Sequence, residues 1–281
     1  MIIASTLQKS FGPQTLFDDV SFLINKGERI GLVGKNGTGK STLFKMIMGE
    51  EKQDSGTLST PKGYKIGALD QHIHFTKPTV IDECIEALPT EKQWDHYKAE
   101  IILSGLGFSE QDFQKDPTTF SGGFQVRINL CKALLADPNM LLLDEPTNYL
   151  DIVSLRWLKD YLNKWPGEMM LITHDRDFMD QVTTHTLGLH RRQARKVSGG
   201  TIKFYELIIQ EEETYEQTRK NLENKRKEMQ SLVDRFRAKA SKATMAQSRL
   251  KMMEKMGTME KLDTEKNLGF RFNHLPCPGK I

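Results

Sequence analysis

A glycine-rich segment, GKNGTGKST at residues 34–42, has the residue types and spacing that phosphate binding requires. Its glycines let backbone N–H groups close around phosphate oxygens, Lys40 neutralises the β- and γ-phosphates, and Ser41 offers a hydroxyl to Mg²⁺. The segment follows the apolar run RIGLVG and precedes a helical pattern, which is the context that this chemistry needs. The predicted phosphate-binding residues are Gly34, Lys35, Asn36, Gly37, Thr38, Gly39, Lys40, Ser41 and Thr42.

A second run, MLLLDEPTNYLD at residues 140–151, places two carboxylates directly after four apolar residues. A buried strand delivers the residues that follow it to the carboxyl edge of its sheet, where ligands bind. Asp144 is predicted to hold a metal ion through water, and Glu145 to polarise an attacking water. Without the glycine-rich segment, the same acids would be read only as caps of a following helix.

The segment FSGGFQVRINLCKALLADP at residues 120–138 begins with a helix-start signal. Ser121 is a good N-cap residue, and the two glycines after it expose backbone donors at the start of the helix. A helix N-terminus of this kind binds anions. Taken alone, S-G-G is more often simply a cap.

These segments belong to an alternation of short apolar runs and periodic segments that covers the first 205 residues. Such an alternation is typical of an α/β fold. Strands are predicted at residues 21–25, 29–34, 64–70, 140–144 and 168–173. Helices are predicted at residues 40–48, 79–87, 122–136, 152–164 and 175–182.

Composition limits the class of protein. The 281 residues include 40 Lys and Arg against 37 Asp and Glu, so attraction to nucleic acid must come from local clusters. The three cysteines, Cys84, Cys131 and Cys277, share no CxxC spacing, which argues against disulfides or zinc and favours the cytoplasm. We expect no signal peptide and no transmembrane segment, because no apolar run approaches roughly 18 residues.

The character of the chain changes after Tyr205. Residues 206–262 contain no proline, one glycine and many charged residues, glutamines and methionines, which predicts helix. One rod of that length would extend about 85 Å, so a helical hairpin is predicted instead. Apolar residues at helical spacing would form the packing stripe: Leu222, Met229, Val233, Phe236, Ala240, Ala243 and Leu250.

The same region carries local positive charge. Between Ser231 and Lys255 there are seven lysines and arginines and two acids, a balance of about +5. Such a helix suits RNA, whose phosphates and shape are recognised more than its bases, although an ordinary solvated helix face is the alternative. A second basic run, HRRQARK at residues 190–196, is either a strand edge or a further RNA contact.

The order of the motifs resembles that of the ATP-binding cassette (ABC) ATPases over roughly residues 1–200. In chain order, the motifs are the glycine-rich P-loop, ALDQ ending at Gln71, FSGGFQ, LLLDEPTNYLD, and LITHD containing His174. The resemblance implies a P-loop NTPase cassette at residues 1–205, with a short helical subdomain at 71–121. It also implies ATP and Mg²⁺ as cofactors and hydrolysis of ATP to ADP and phosphate.

Further roles follow from the resemblance by position. Phe11 lies where the family stacks an aromatic ring on adenine, Gln71 would link Mg²⁺ to the attacking water, and His174 would contact the γ-phosphate. The implied catalytic residues are Lys40, Gln71, Glu145 and His174, and the implied Mg²⁺ residues are Ser41, Gln71 and Asp144. The D-loop residue Asp151 would communicate with an opposing cassette, whose nucleotide would be bound by the signature residues Ser121, Gly122, Gly123 and Gln125.

That arrangement implies a partner, because the family buries ATP between two head-to-tail cassettes. The partner is either a second copy of the chain or a C-terminal half that begins within residues 263–281. The strings EPTNYLD and ITHDRDFMD resemble the ABC-F branch, whose tandem cassettes act on the ribosome. Only 49 residues separate Gln71 from Ser121, so the longer arm that many ABC-F members carry there is not expected.

The segment RFRAKASKATMAQSRLKMMEKM at residues 235–256 resembles the ABC-F linker between cassettes, which reaches towards transfer RNA and the peptidyl-transferase region. The resemblance implies that residues 206–262 form a charged linker that faces transfer or ribosomal RNA. The implied RNA contacts are Arg235, Arg237, Lys239, Lys242 and Arg249.

The expected protein is therefore a cytoplasmic ABC-F-type ATPase that couples cassette closure to ribosome or transfer RNA binding and modulates translation. Its alternative is the ATP-binding subunit of a membrane transporter, which would need a membrane partner. A third hypothesis is a nucleotide-binding module without turnover, since one cassette lacks the opposing signature.

Overall fold

The computed structural model describes residues 1–69, 74–92, 94–237, 248 and 251–252. The chain divides into two compact units, Met1–Tyr205 and Glu206–Ile281.

The first unit contains an antiparallel sheet of three strands in the order β2-β1-β4. These strands are β1 (Ile2–Phe11), β2 (Gln14–Ile24) and β4 (Ser55–Ser59). Buried residues alternate with exposed ones along β1, because one face of such a sheet packs on the core and the other meets solvent.

The second sheet of this unit has six strands in the order β5-β6-β7-β3-β8-β9. All neighbouring pairs are parallel except β8 and β9. The central strands are buried on both faces, which explains their continuous apolar runs. The six strands are β3 (Arg29–Gly34), β5 (Ile66–Ala68), β6 (Met140–Asp144), β7 (Glu168–Ile172), β8 (His185–His190) and β9 (Gln193–Ser198).

Six helices accompany these sheets in the described part of the first unit. One apolar core joins both sheets to the first helix through residues such as Phe17, Leu32 and Leu43. The helices are α1 (Lys40–Met48), α2 (Val80–Ile85), α3 (His96–Gly105), α4 (Gly122–Leu135), α5 (Ile152–Asn163) and α6 (Arg176–Val182).

The predicted α/β cassette fold is confirmed, and α1, β3 and β6 have the predicted bounds. The sequence analysis did not identify β1, β4, β8, β9 or α3, and it began β2 seven residues too late. The missed strands mix polar and apolar residues, whereas the prediction relied on continuous apolar runs. The basic run HRRQARK forms the turn after β8 and most of the sheet-edge strand β9.

A long helix, α7 (Thr201–Arg237), starts within the first unit. The backbone N–H and the Oγ1 hydroxyl of Thr201 donate to the carboxylate of Asp180 on α6, at 2.8 and 2.9 Å. The guanidinium of Arg176 lies 4.8 Å from the ring centroid of Tyr205. The first turn of α7 is therefore tied to the helix that follows His174.

In the second unit, α7 continues without a break to Arg237. Ion pairs at helical spacing join Arg219 to Glu216 and Glu223, and Val233 is fully buried. Beyond α7 the structure describes only residues 248, 251 and 252, all helical, so the predicted return helix of the hairpin and the tail at 263–281 stay predictions. No helix in the described part of the chain has both the length and the apolar character that crossing a bilayer requires.

Candidate nucleotide-binding site

The glycine-rich loop curls from the end of β3 into the start of α1. Gly39 precedes α1 with φ of 100°, and a Cβ atom there would lie 2.8 Å from the ring of Phe17. Gly37 has φ of 81°. Both conformations suit glycine, and no side chain caps α1, so its first N–H groups remain for an anion.

The ammonium of Lys40 lies inside this curl. Its Nζ donates to the carbonyl oxygens of Gly34 at 2.8 Å and Lys35 at 3.2 Å. Thr38 closes the turn by donating from Oγ1 to the Lys35 carbonyl at 2.9 Å. The loop thus holds a positive charge at its centre, as binding of a polyphosphate requires.

A cavity of about 540 Å³ opens over the loop, and we call it the nucleotide cavity. It gathers residues from four separate segments of the first unit. Its lining is Phe11, Gln14, Leu16, Asn36, Gly37, Gly39, Lys40, Ser41, Thr42, Asp144, Glu145, Ile172 and His174.

Asp144 ends β6 at the floor of this cavity, where the Ser41 hydroxyl donates to its Oδ2 at 3.3 Å. Burial raises the pKa of Asp144, and the Ser41 hydrogen bond and the charges of Lys40 and His174 oppose this rise only in part. A carboxylate that is costly to ionise gains from a nearby cation.

Glu145 follows with a left-handed backbone, φ 51°, and its N–H donates to the Ile172 carbonyl at 2.8 Å. One carboxylate oxygen accepts from the backbone N–H of His174 at 3.3 Å, and the other lies 3.5 Å from its Nε2. The imidazole itself is 81% exposed. The structure thus brings the predicted water-activating acid and the predicted γ-phosphate contact side by side.

The opposite wall is formed by the hairpin between β1 and β2. The ring of Phe11 is 49% exposed, and the Lys9 ammonium lies 4.9 Å from its centroid. Lys9 is held in turn by Glu51 at 2.6 Å and by the Lys52 carbonyl at 2.7 Å. An exposed ring with a supported back face is suited to stacking on a base.

The residues at the floor fit Mg²⁺. Hydroxyl and carboxylate oxygens, as in Ser41 and Asp144, are the ligands that this ion takes in nucleotide sites, where water and phosphates supply the rest. No cluster of three or more His, Cys, Asp or Glu residues suited to a metal occurs among the described residues. Gln71, the third predicted Mg²⁺ residue, lies outside the described residues.

The signature residues lie apart from the nucleotide cavity. Ser121 is the N-cap of α4, but its side chain accepts no hydrogen bond from the helix. Ser121 and Gly122 are exposed. Gln125 instead donates from Nε2 to the carbonyls of Phe120 at 2.9 Å and Thr118 at 3.3 Å, which holds the loop that leads into α4.

Asp151 caps α5, since its Oδ1 accepts from the backbone N–H of Ser154 at 2.9 Å. Its Oδ2 lies 3.2 Å from Nη1 of Arg127 on α4. The Ser154 hydrogen bond and the Arg127 charge lower the pKa of Asp151. The predicted D-loop carboxylate thus has bonds within its own cassette.

The predicted RNA contacts cannot be compared with the structure in the same way. Arg235 and Arg237 lie in α7, but their side chains are outside the described part, as are Lys239, Lys242 and Arg249 in full. Sequence reasoning also missed four residues near the sites: Gln14, Leu16 and Ile172 in the cavity lining, and Arg127 behind the signature. The Gly-Pro turn before Gln14 was the only available signal.

Two stretches of the chain, residues 17–148 and 187–272, match families described as "ABC transporter". The chain is 31% identical to "Probable ATP-binding protein YheS" of Escherichia coli K12, an alignment that covers 99% of this chain and 49% of YheS. It is 30% identical to "ATP-binding cassette sub-family F member 3" of Rattus norvegicus, over 94% of this chain and 42% of that protein. The chain thus spans about half the length of these relatives.

Among solved structures, the fold is similar to the "Dimeric structure of a post-hydrolysis state of the ATP-binding cassette MJ0796 bound to ADP and Pi". The TM-score is 0.57 at 21% identity, over 70% of this chain and 98% of that one. The shared fold, the family matches along the chain and the loop-and-acid geometry of the nucleotide cavity agree. The chain belongs to the ABC transporter family of ATP-binding cassettes.

Proposed function

We propose that the chain is an ABC-F-type ATPase. Its cassette binds Mg-ATP, a second cassette completes the site, and hydrolysis is coupled to binding of a ribosomal or transfer RNA surface by residues 206–262. The observation that carries the nucleotide part is the nucleotide cavity, where a P-loop and two acids at a strand end lie together. The similarity to a sub-family F protein supports the branch.

The residues of the nucleotide cavity divide the work. Lys40 exchanges its carbonyl partners for β- and γ-phosphate oxygens, and Phe11 stacks on the base. Ser41 and Asp144 would hold Mg²⁺, which would supply neutralisation of phosphate charge. Glu145 orients the attacking water and accepts its proton, next to His174.

A second cassette is proposed because the signature lies away from the nucleotide cavity of its own chain. Ser121 and Gly122 are exposed at the start of a 14-residue helix, where backbone donors meet an anion from outside. The similar cassette MJ0796 is described as dimeric. The partner is a second copy of this chain or a further cassette of the whole protein, since the relatives are about twice as long.

The RNA part of the proposal depends on charge. Residues 231–255 carry seven basic and two acidic side chains in a chain whose net charge is only +3. Neutralising phosphates releases counterions, so the binding weakens steeply as salt rises.

A Glu145→Gln chain, supplied with its partner cassette, tests whether the bound nucleotide controls ribosome binding. The amide cannot accept the proton, so ATP is retained and the complex stays closed. We expect it to co-sediment with ribosomes in ATP and much less in ADP. A Glu145→Gln, Lys40→Ala chain is the control, since it lacks the phosphate contact. Equal sedimentation in ATP and ADP would contradict the coupling.

The RNA surface is tested by reversing five charges, Arg235, Arg237, Lys239, Lys242 and Arg249, to Glu. Ribosome binding should fall at least about tenfold at low salt, and its dependence on salt should flatten. Reversal of five exposed lysines of the first unit, Lys26, Lys52, Lys62, Lys65 and Lys164, to Glu is the matched control. If both chains sediment alike, the basic segment is only a solvated helix face.

One observation favours a second candidate, the ATP-binding subunit of a membrane transporter, because both matching families are described as "ABC transporter". Its distinguishing feature would be a partner with transmembrane segments. Co-purification with a polytopic membrane protein, without ribosomes, would support this function over the first.

A further inference from the structure

Arg127 connects three separate segments behind the signature. It lies on α4, six residues after Ser121, and is 7% exposed. Its Nε and Nη2 donate to the carbonyl of Tyr149 at 3.0 and 2.5 Å. Its Nη1 donates to the carbonyl of Leu106 at 2.8 Å and to Asp151 at 3.2 Å. We call Arg127, Leu106, Tyr149 and Asp151 the signature corner.

The residues around the Arg127 guanidinium leave room for it and contact it closely. The ring of Phe124 lies under it, 4.6 Å from centroid to Cζ. Gly107 has φ of 88°, and a Cβ there would lie 2.9 Å from Nη1. A buried guanidinium is stable only when its donors are satisfied. Each nitrogen of Arg127 has a partner, so the side chain is held in one position.

The segment that Arg127 holds contains backbone strain. Glu145 and Tyr149 both have left-handed backbones, with φ of 51° and 68°. Such conformations are costly for residues other than glycine and persist where the surroundings hold them. The two hydrogen bonds to the Tyr149 carbonyl supply that restraint at one end of the segment that begins with Glu145.

The same segment abuts the signature. A Cβ atom on Gly123 would lie 3.2 Å from Cβ of Tyr149. The start of α4 and residues 145–151 therefore touch at Gly123, and Arg127, about one turn further along α4, joins them again by hydrogen bonds.

We infer that Arg127 is a positioning residue of the ATPase reaction. It sets Glu145, which acts on the nucleotide of its own cassette, and the signature residues, which act on the opposing one, in a single rigid arrangement. Arg127 contacts no nucleotide itself. The inference rests on the proposed function, because it assumes that the signature serves an opposing cassette.

The competing explanation is that Arg127 only stabilises the fold. Arg127→Lys distinguishes the positioning role from a purely structural role. Lysine keeps the positive charge and the aliphatic chain, but it lacks the planar guanidinium that bonds two carbonyls and a carboxylate at once. If Arg127 positions the site, ATP affinity should stay within about twofold of wild type while kcat falls at least about tenfold. Arg156→Lys, at an exposed arginine on α5, is the matched control.

Turnover is measured with the partner cassette present, and ATP affinity is measured on the same samples. Hydrogen exchange of the amides in residues 145–151 is measured without nucleotide. Arg127→Lys should raise exchange there and leave β3 and β6 protected. Unchanged kcat and unchanged exchange would overturn the inference, as would equal losses of ATP affinity and kcat.

A second variant keeps the guanidinium. Phe124→Leu removes the ring beneath it and should produce the same changes to a smaller extent, about threefold in kcat. The exchange measurement also separates the two proposals. If wild type shows no turnover at any concentration, the proposed ATPase function fails, while raised exchange at 145–151 in Arg127→Lys still supports the positioning role and unchanged exchange still overturns it.

Discussion

The nucleotide cavity and the signature corner treat their charged groups in opposite ways. In the nucleotide cavity, Lys40 bonds only neutral backbone carbonyls, and Glu145 meets His174 at 3.3–3.5 Å. In the signature corner, Arg127 is buried and bonded through all three nitrogens. The cavity is built from partners that a ligand can replace, whereas the corner is built from partners that the fold itself requires.

The pKa values of two aspartates show the same contrast. Burial raises the pKa of Asp144 in the nucleotide cavity, and the Ser41 hydrogen bond and the charge of Lys40 oppose that rise only in part. The Ser154 N–H and Arg127 lower the pKa of Asp151 in the signature corner. Among the described residues, Asp144 forms no ion pair, whereas Asp151 forms one with Arg127. A carboxylate without an ion pair gains more from binding a cation.

The largest effect on ligand binding is expected from substitution of Lys40, which tests whether the nucleotide cavity serves a ligand rather than the fold. Lys40→Ala should weaken ATP binding about 100-fold, because a charge-assisted phosphate contact is lost, and should leave the melting temperature nearly unchanged. Isothermal titration with ATP and a thermal melt measure the two quantities. Lys45→Ala, at an exposed lysine on the same helix, is the control. A large loss of stability in Lys40→Ala would mean that the cavity is structural like the corner.

Glu28 extends the comparison to an acid that does not line the nucleotide cavity. Burial favours its neutral form, but hydrogen bonds from Lys196 and Asn25 outweigh burial and lower its pKa from 4.5 to about 2. The stabilisation is therefore present above about pH 4.5 and is lost as pH falls towards 2.

Glu28→Gln should accordingly reduce the free energy of unfolding by about 2 kcal/mol near neutral pH. The difference from wild type should shrink as the pH falls from about 4.5 to 2, followed by chemical denaturation across that range. Glu50→Gln, at an exposed residue after α1, is the control. A difference that is independent of pH would show that the ion pair with Lys196 is not its source.

A smaller effect is expected at Phe11, in the cavity wall. Phe11→Ala should weaken ATP binding about tenfold through loss of stacking, whereas Phe11→Tyr should preserve it. Inorganic triphosphate, which has no base, should bind all three chains equally. If Phe11→Ala weakens triphosphate binding as well, the ring stabilises the P-loop and does not act by stacking on the base.

The smallest expected difference is in folding stability, between alanine substitutions at two glycines of the P-loop. Both have positive φ, but only at Gly39 would a Cβ meet a neighbour, the Phe17 ring at 2.8 Å. Gly37→Ala should cost about 1 kcal/mol of folding stability from backbone strain alone. Gly39→Ala should cost about 1 kcal/mol more, since Phe17 is part of the core. Equal melting temperatures would contradict this packing effect.

The sequence predicted the nucleotide cavity better than the signature corner, and the reason is physical. Residues that bind a ligand need fixed types at fixed spacing. The P-loop and the acids after β6 can therefore be recognised as sequence motifs. The bounds of α1 and β6 were also predictable from the sequence, because Gly49 follows the last residue of α1 and Asp144 ends the apolar run of β6.

The contacts of Arg127 depend instead on tertiary structure. Two of its acceptors are backbone carbonyls, at Leu106 and Tyr149, and a carbonyl has the same chemistry whatever residue carries it. The antiparallel strands β1 and β4 were missed for a related reason. Their alternating polar residues become meaningful only once the neighbouring strand is known.

The carbonyl bonds of Lys40 have a consequence for the thermodynamics of binding. A long, mobile side chain normally loses rotamer freedom when it grips a ligand, at a cost of about 0.5–1.5 kcal/mol. Here the Gly34 and Lys35 carbonyls already hold the ammonium within the loop. That entropy is lost during folding, so the loop is preorganised, and phosphate oxygens need only replace two neutral acceptors with charged ones.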